Sequence, residues 1–167
     1  GMTNEDALKD QYPVIKIVEV APLNTTQTDW VKFYCIEDGN NSGGLILNGY
    51  RIYDANGLIK TITSATINSG EYIKLDMGNG TDETSAGSDG VLTIYAGLDN
   101  SRLTANDSIA LVIPYYEDNN RSAMDYVAWG SNSAPPRITE ATNAGEWIGA
   151  SLSDVLEYTN LTPDTSF

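Results

Sequence analysis

Histidine is absent from the 167 residues, and cysteine occurs once, at Cys35. Without imidazole there is no Ser-His-Asp or Cys-His catalysis, no His-Glu-x-x-His zinc site and no imidazole pH switch. One cysteine makes no intrachain disulfide and no Cys-x-x-Cys pair, so it leaves the redox compartment open. Cations are scarce: 9 Lys+Arg stand against 23 Asp+Glu, for a net charge of −14. Nucleic-acid binding draws most of its affinity from cations set on phosphates, so no nucleic-acid partner is expected. The same shortage argues against a polybasic membrane anchor. No apolar run approaches the roughly 18 residues of a membrane span, so no membrane insertion is expected.

What is present suffices for one folded domain. Hydrophobic residues make up 41% of the chain, and the mean hydropathy of −0.27 is compatible with a buried core. Gly1 before Met2 reads as a scar of protease cleavage and is set aside. The native start is then Met2, which fits a cytoplasmic protein, or the natural chain carries a signal that is removed on export.

Short apolar stretches alternate with Gly/Asn/Asp/Ser-rich connectors along almost the whole chain, the mark of an all-β domain. Eight strands are predicted: Val14–Val20, Asp29–Ile36, Leu45–Asp54, Leu58–Thr63, Glu71–Asp76, Val91–Gly97, Asp107–Pro114 and Met124–Trp129. In the second, Val31, Phe33 and Cys35 share one face while Trp30, Lys32 and Tyr34 share the other. In the seventh, Ile109, Leu111 and Ile113 form an apolar face. Asn56-Gly57 tolerates the positive φ of a type I′ hairpin turn. Met77–Gly90 is a polar loop too rich in glycine for a helix. Pro135 and Pro136 end the strand region, and Ser151–Tyr158 is the one stretch that reads as a short helix. The expectation is an immunoglobulin-like β-sandwich of about eight strands with an irregular C-terminal tail. Its parts are a flexible segment over 1–12, the sandwich over 13–132, and an extension over 133–167 packed on or trailing it.

The order of the strand motifs resembles the lamin-tail domain. Val14–Val20, with Glu19 near its end, precedes Asp29-Trp30-Val31-Lys32-Phe33-Tyr34. Then come Leu47–Asp54, with Tyr50 where Trp is common, and Ser69-Gly70-Glu71-Tyr72-Ile73. Asn106–Leu111 and Met124–Gly130 complete the likeness, which spans Val14 to Gly130. Cys35 stands where Asn is frequent, Met77–Gly90 is longer than usual, and no coiled-coil rod is present. A bacterial-type member is therefore the better comparison. The resemblance implies an immunoglobulin-like fold and a non-catalytic binding or scaffold role in an exported or envelope-associated protein. It brings no catalytic residues.

The residues themselves hold few chemical constellations. Glu19 falls in phase with Ile15 and Ile17. It reads as an acceptor for nearby donors rather than as a general acid. Cys35, in phase with Val31 and Phe33 and without a histidine to activate it, reads as a small core residue. Asp76, Asp82, Glu83 and Asp89 crowd a glycine-rich stretch; they offer oxygen ligands of the kind Ca²⁺ takes, at a spacing that matches no EF-hand. No other cofactor is expected. Tyr115 and Tyr116, followed by Glu117 and Asp118, enter a polar loop after Pro114. If every strand runs antiparallel to its predecessor, these four share one end of the sandwich with Asp82, Glu83 and Asp89. Loops on a rigid sandwich commonly carry binding residues, so a protein or glycan partner is expected there. The competing reading is an accessory carbohydrate-binding module or a small carboxylate-based hydrolase. A flat aromatic platform would favour the first, and two acids in one groove the second.

Overall fold

The computed structural model describes residues 12–37, 47–114, 123–130, 137–146 and 164–167. The described residues build an immunoglobulin-like β-sandwich. The strands are β1 (Val14–Ala21), β2 (Trp30–Glu37), β3 (Arg51–Asp54), β4 (Gly57–Thr61), β5 (Tyr72–Asp76), β6 (Val91–Tyr95), β7 (Asp107–Val112) and β8 (Ala123–Trp129). One sheet has the order β1-β2-β5-β6, the other β4-β3-β7-β8. A single helix, α1 (Ile138–Asn143), follows among the described residues. All eight predicted strands are found.

Alternation supplies the core. Val31, Phe33 and Cys35 of β2 are fully buried, as are Leu75 of β5 and Leu92 of β6. They meet Ile52, Ile109, Leu111 and Trp129 from the other sheet in one cluster. Trp129 donates its indole N–H to the Thr104 carbonyl at 2.8 Å, so its one polar atom is satisfied inside the core. The Tyr50 hydroxyl donates to the Pro13 carbonyl at 2.7 Å, and burial pushes its phenol well above the usual range.

Four expectations need correction. The β3–β4 hairpin turns through Ala55 and Asn56, since Asp54 faces Gly57 in register. Neither turn residue has a positive φ, whereas Gly57 does, at 135°. The turn is therefore one residue earlier than predicted and is not type I′. It is held by the Asp54 carboxylate, which accepts from the Asn56 and Gly57 N–H groups at 2.8 and 3.0 Å.

The second correction concerns strand direction. β5 and β6 are neighbours and run parallel, Tyr72 facing Val91 and Asp76 facing Tyr95. The Met77–Gly90 connection must therefore return the length of the sheet. It does so along the free edge of β6: Glu83 N–H donates to the Thr93 carbonyl, and Gly87 N–H to that of Val91. This covers an edge that would otherwise offer unpaired N–H and C=O groups. Strand parity consequently fails after β5. The β7–β8 connection leaves and returns beside the Val112–Ala123 pair. That is the end opposite the Asp54–Gly57 hairpin and the Asp29 loop.

Third, β1 carries a bulge. Ile17 faces Phe33 but Glu19 faces Lys32, so Val18 is the inserted residue. The insertion reverses the phase. Ile15 and Val20 enter the core, and Glu19 leaves the face it was expected to share with Ile15 and Ile17. Fourth, the C-terminal extension holds a helix at Ile138–Asn143 that the sequence reading missed. The helix expected at Ser151–Tyr158 lies outside the described residues.

Helix α1 decides the environment of the β4-β3-β7-β8 sheet. Ala110, Val112, Ala123, Tyr126 and Ala128 form a second buried cluster with Ala141, and Ile138 packs against it. β7 is accordingly buried along its whole length, inward against the core and outward against the helix. The outer face of the other sheet has no such helix against it among the described residues.

Candidate functional site

That outer face is built by alternation on β2 and β5. Trp30, Lys32 and Tyr34 of β2 are half-buried, as are Tyr72, Lys74 and Asp76 of β5, while the residues between them are in the core. Antiparallel pairing places Trp30 opposite Asp76, Lys32 opposite Lys74 and Tyr34 opposite Tyr72. The Tyr34 and Tyr72 rings meet with centroids 5.0 Å apart. Lys32 Nζ sits 5.2 Å from the centre of the Tyr72 ring, and Lys74 Nζ sits 5.5 Å from that of Trp30. The result is a patch of three rings in which the Lys32 ammonium leans toward Tyr72 and the Lys74 ammonium toward Trp30, at opposite ends of the pairing.

The two lysines share with Arg51, which lies over the Tyr53 ring, the lack of an ion pair among the described residues. Lys16, Lys60, Arg102 and Arg137 each pair with a carboxylate: Glu146, Asp82, Asp54 and Glu140. Lys32 and Lys74 have no carboxylate within ion-pair distance among the described residues. They face each other on adjacent strands, an arrangement that costs stability. Ring faces compensate it in part, since a cation over an aromatic face is attracted by about 0.5–1 kcal/mol at such sites.

The acids singled out in the sequence are dispersed. Asp76 accepts from the Thr28 hydroxyl at 2.6 Å and from Gly78 N–H at 2.9 Å. Asp82 takes the Tyr95 N–H and the Lys60 ammonium, Glu83 takes the Thr93 N–H, and Asp89 takes that of Val91. Asp76 ends β5 while the other three are strung along β6 and its loop, each holding backbone or a neighbouring side chain. Among the described residues no three Asp, Glu, Cys or His side chains are grouped as a metal would require. Tyr115, Tyr116, Glu117 and Asp118 lie outside the described residues. The parallel β5–β6 pair carries the Met77–Gly90 stretch from one end of the sandwich to the other, so its acids do not gather at a single end: Asp82 lies beside Tyr95 and Asp89 beside Val91.

Two acids do line one cleft. Between β1 and β8 a space of about 260 Å³ is bordered by Val18, Glu19, Asp125, Val127 and Phe167, among others. Asp125 accepts from Ile17 N–H at 2.6 Å and from its neighbour Tyr126 N–H at 2.9 Å, and burial raises its pKa. Glu19 accepts from the Ser166 hydroxyl at 2.5 Å, as an acceptor role predicts. Phe167 and Val20 exchange backbone hydrogen bonds of 2.7 and 3.0 Å. Asp125 thus fastens β8 to β1, and Glu19 fastens the C-terminal segment to β1.

The chain matches no family model, no curated protein and no solved structure. The residues that carry the lamin-tail resemblance fall on β1, β2, β3, β5, β7 and β8. Half of the aromatic patch was legible, since Trp30, Lys32 and Tyr34 were placed on one face. The other half needed the β2–β5 pairing. Its only sequence signal is the alternation of Tyr72 and Lys74 with Ile73 and Leu75.

Proposed function

We propose that this protein is a non-catalytic binding module of an exported or envelope-associated bacterial protein. Its working surface is the outer face of β2 and β5. The observation that carries this reading is the half-buried set of Trp30, Tyr34, Tyr72, Lys32 and Lys74 on a sheet face that no helix covers among the described residues. Aromatic side chains presented on a rigid sheet are suited to recognising a sugar or a partner's side chains. The lamin-tail resemblance supports the same role, and the absence of histidine and of an activated thiol removes the commonest nucleophile systems.

Two measurements test the proposal. Binding to an immobilised glycan array should be lost on replacing Trp30 and Tyr72 together with Ala, with the melting transition retained. A substrate panel of esters, peptides, phosphodiesters and glycosides should show no turnover. Turnover that disappears in Asp125→Asn or Glu19→Gln would instead establish the hydrolase reading.

A further inference from the structure

We infer that the edge from Glu19 to Thr26 is a recognition site for an extended peptide, one carrying aspartate three residues before an aromatic residue. The chain's own Asp164–Phe167 segment occupies it, and the ligand is a partner's segment of the same pattern that takes its place. The site is separate from the β2–β5 face and does not depend on the reading of that face.

Backbone pairing defines the site first. Phe167 and Val20 exchange hydrogen bonds of 2.7 and 3.0 Å, and Asp164 N–H donates to the Leu23 carbonyl at 3.4 Å. The paired positions advance in opposite directions, so the segment lies antiparallel along the edge of β1 and the residues after it. Adding an extended strand to a sheet edge is a general way to recognise a peptide. Main-chain hydrogen bonds hold it, and pockets for its side chains give specificity.

Here the side chains supply that specificity. The Asp164 carboxylate accepts from the Thr25 N–H at 2.6 Å and the Thr25 hydroxyl at 2.5 Å. The Thr26 N–H and hydroxyl add longer contacts of 3.3 and 3.4 Å. Ser166 donates to Glu19. The Phe167 ring meets Trp129 edge-on, with centroids 5.6 Å apart, and packs against the main core cluster. Asp164, Ser166 and Phe167 thus each have a specific counterpart. The backbone is specified too: Leu23 and Asp164 take φ values of 58° and 64°, a conformation that residues other than glycine keep only where their surroundings impose it.

The segment is also displaceable. Asp164, Thr165 and Ser166 are exposed, and Phe167 is half-buried. The cover on β6 differs, because Glu83 and Gly87 belong to the connection between two paired strands. A tethered segment acts at an effective concentration on the order of millimolar, so a free peptide competes poorly until the tethered copy is weakened.

The test uses the full chain and a fluorescent, amidated peptide of the sequence Thr-Pro-Asp-Thr-Ser-Phe. Asp164→Ala with Phe167→Ala strips the chain's own segment of two anchors and leaves Glu19, Val20, Thr25 and Trp129 in place. Fluorescence anisotropy should show the peptide binding this variant about tenfold or more tighter than the unaltered chain, the scale of one hydrogen bond to a charged group. Alanine in place of the peptide's Asp or Phe should remove most of that binding. Amide exchange at Val20 should be slow in the unaltered chain, fast in the variant, and slow again with peptide bound. If the double variant does not fold, Asp164→Ala alone, which loses only an exposed side chain, takes its place. Equal binding to both proteins would put the peptide elsewhere and overturn the inference. A folded variant with fast Val20 exchange that leaves the peptide unbound at about millimolar concentration would overturn it as well, since the segment would then be a strap and nothing more. Val20 exchange that stays slow in the variant would also sink it, because Asp164 and Phe167 would not be what holds the segment.

Discussion

Asp54 has no exposed side-chain surface, yet it carries a charge partner. Arg102 reaches it with Nε at 2.5 Å and Nη2 at 3.2 Å, and the same carboxylate caps the β3–β4 turn. One residue therefore fixes both a hairpin and the loop before β7. Asp107 does similar work, accepting from the Ala55, Thr104 and Ser108 N–H groups. Asp54→Ala should cost about 3 kcal/mol in urea unfolding, because the cation and two N–H groups lose their acceptor together. Phe33 and Trp30 test the register of β2 more directly. Phe33 is fully buried, so Phe33→Ala should cost about 3–5 kcal/mol. Trp30 is half-buried on the outer face, and Trp30→Ala should cost about 1 kcal/mol or less. Equal costs at the two sites would contradict the faces assigned here. These faces were legible in the sequence because β2 alternates without interruption. Glu19 was misplaced because a bulge leaves no mark in the pattern: Val18 is as apolar as its neighbours, and only the pairing with Phe33 and Lys32 reveals it.

At the scale of elements, the strands were legible and their directions were not. Period-2 alternation and Gly/Asn punctuation mark where a strand lies, whereas direction is decided by which neighbour it finds. β5 and β6 come out parallel because the Met77–Gly90 stretch is long enough to return along β6, and its acids then serve as backbone acceptors. Gly80 belongs to this device, since a Cβ there would lie 2.4 Å from the Tyr95 ring. Helix α1 was missed for a different reason. Its six residues are too few for a periodic signal, and the evidence for it sits elsewhere, in the unbroken apolar run of β7 and the alanines of β8. A strand buried on both faces needs a cover on its outer side. Ala110, Ala123 and Ala128 are small, so the helix can lie close. Ala141→Leu should overfill that contact and cost about 1–3 kcal/mol in thermal or urea unfolding. A neutral result would mean that α1 stands off the sheet.

For the molecule as a whole, acid should first stabilise and then destabilise the fold. Burial raises the carboxyl pKa values of Asp29, Asp107 and Asp125 above the ordinary 3.8. A group whose folded pKa lies above its unfolded one binds more protons when folded. Its contribution is complete below the unfolded value and is lost as pH rises through the folded one. Self-repulsion acts in the same sense, since the net charge of −14 at neutral pH falls as carboxylates protonate. Asp99 and Asp164 act oppositely. Hydrogen bonds from Ser101 and from Thr25 hold them below 3.8, so their support is present above that value and is lost as pH falls through their folded pKa. The melting temperature should therefore rise as pH falls from 7.5 toward the ordinary carboxyl value of 3.8 and decline again below it. Asp125→Asn keeps an oxygen for Ile17 N–H and removes one raised pKa, so the gain on acidification from neutral pH should shrink. A melting temperature that falls steadily from pH 7.5 downward would mean that the three buried carboxylates are held ionised by the N–H groups around them, and that burial is the weaker influence on their titration.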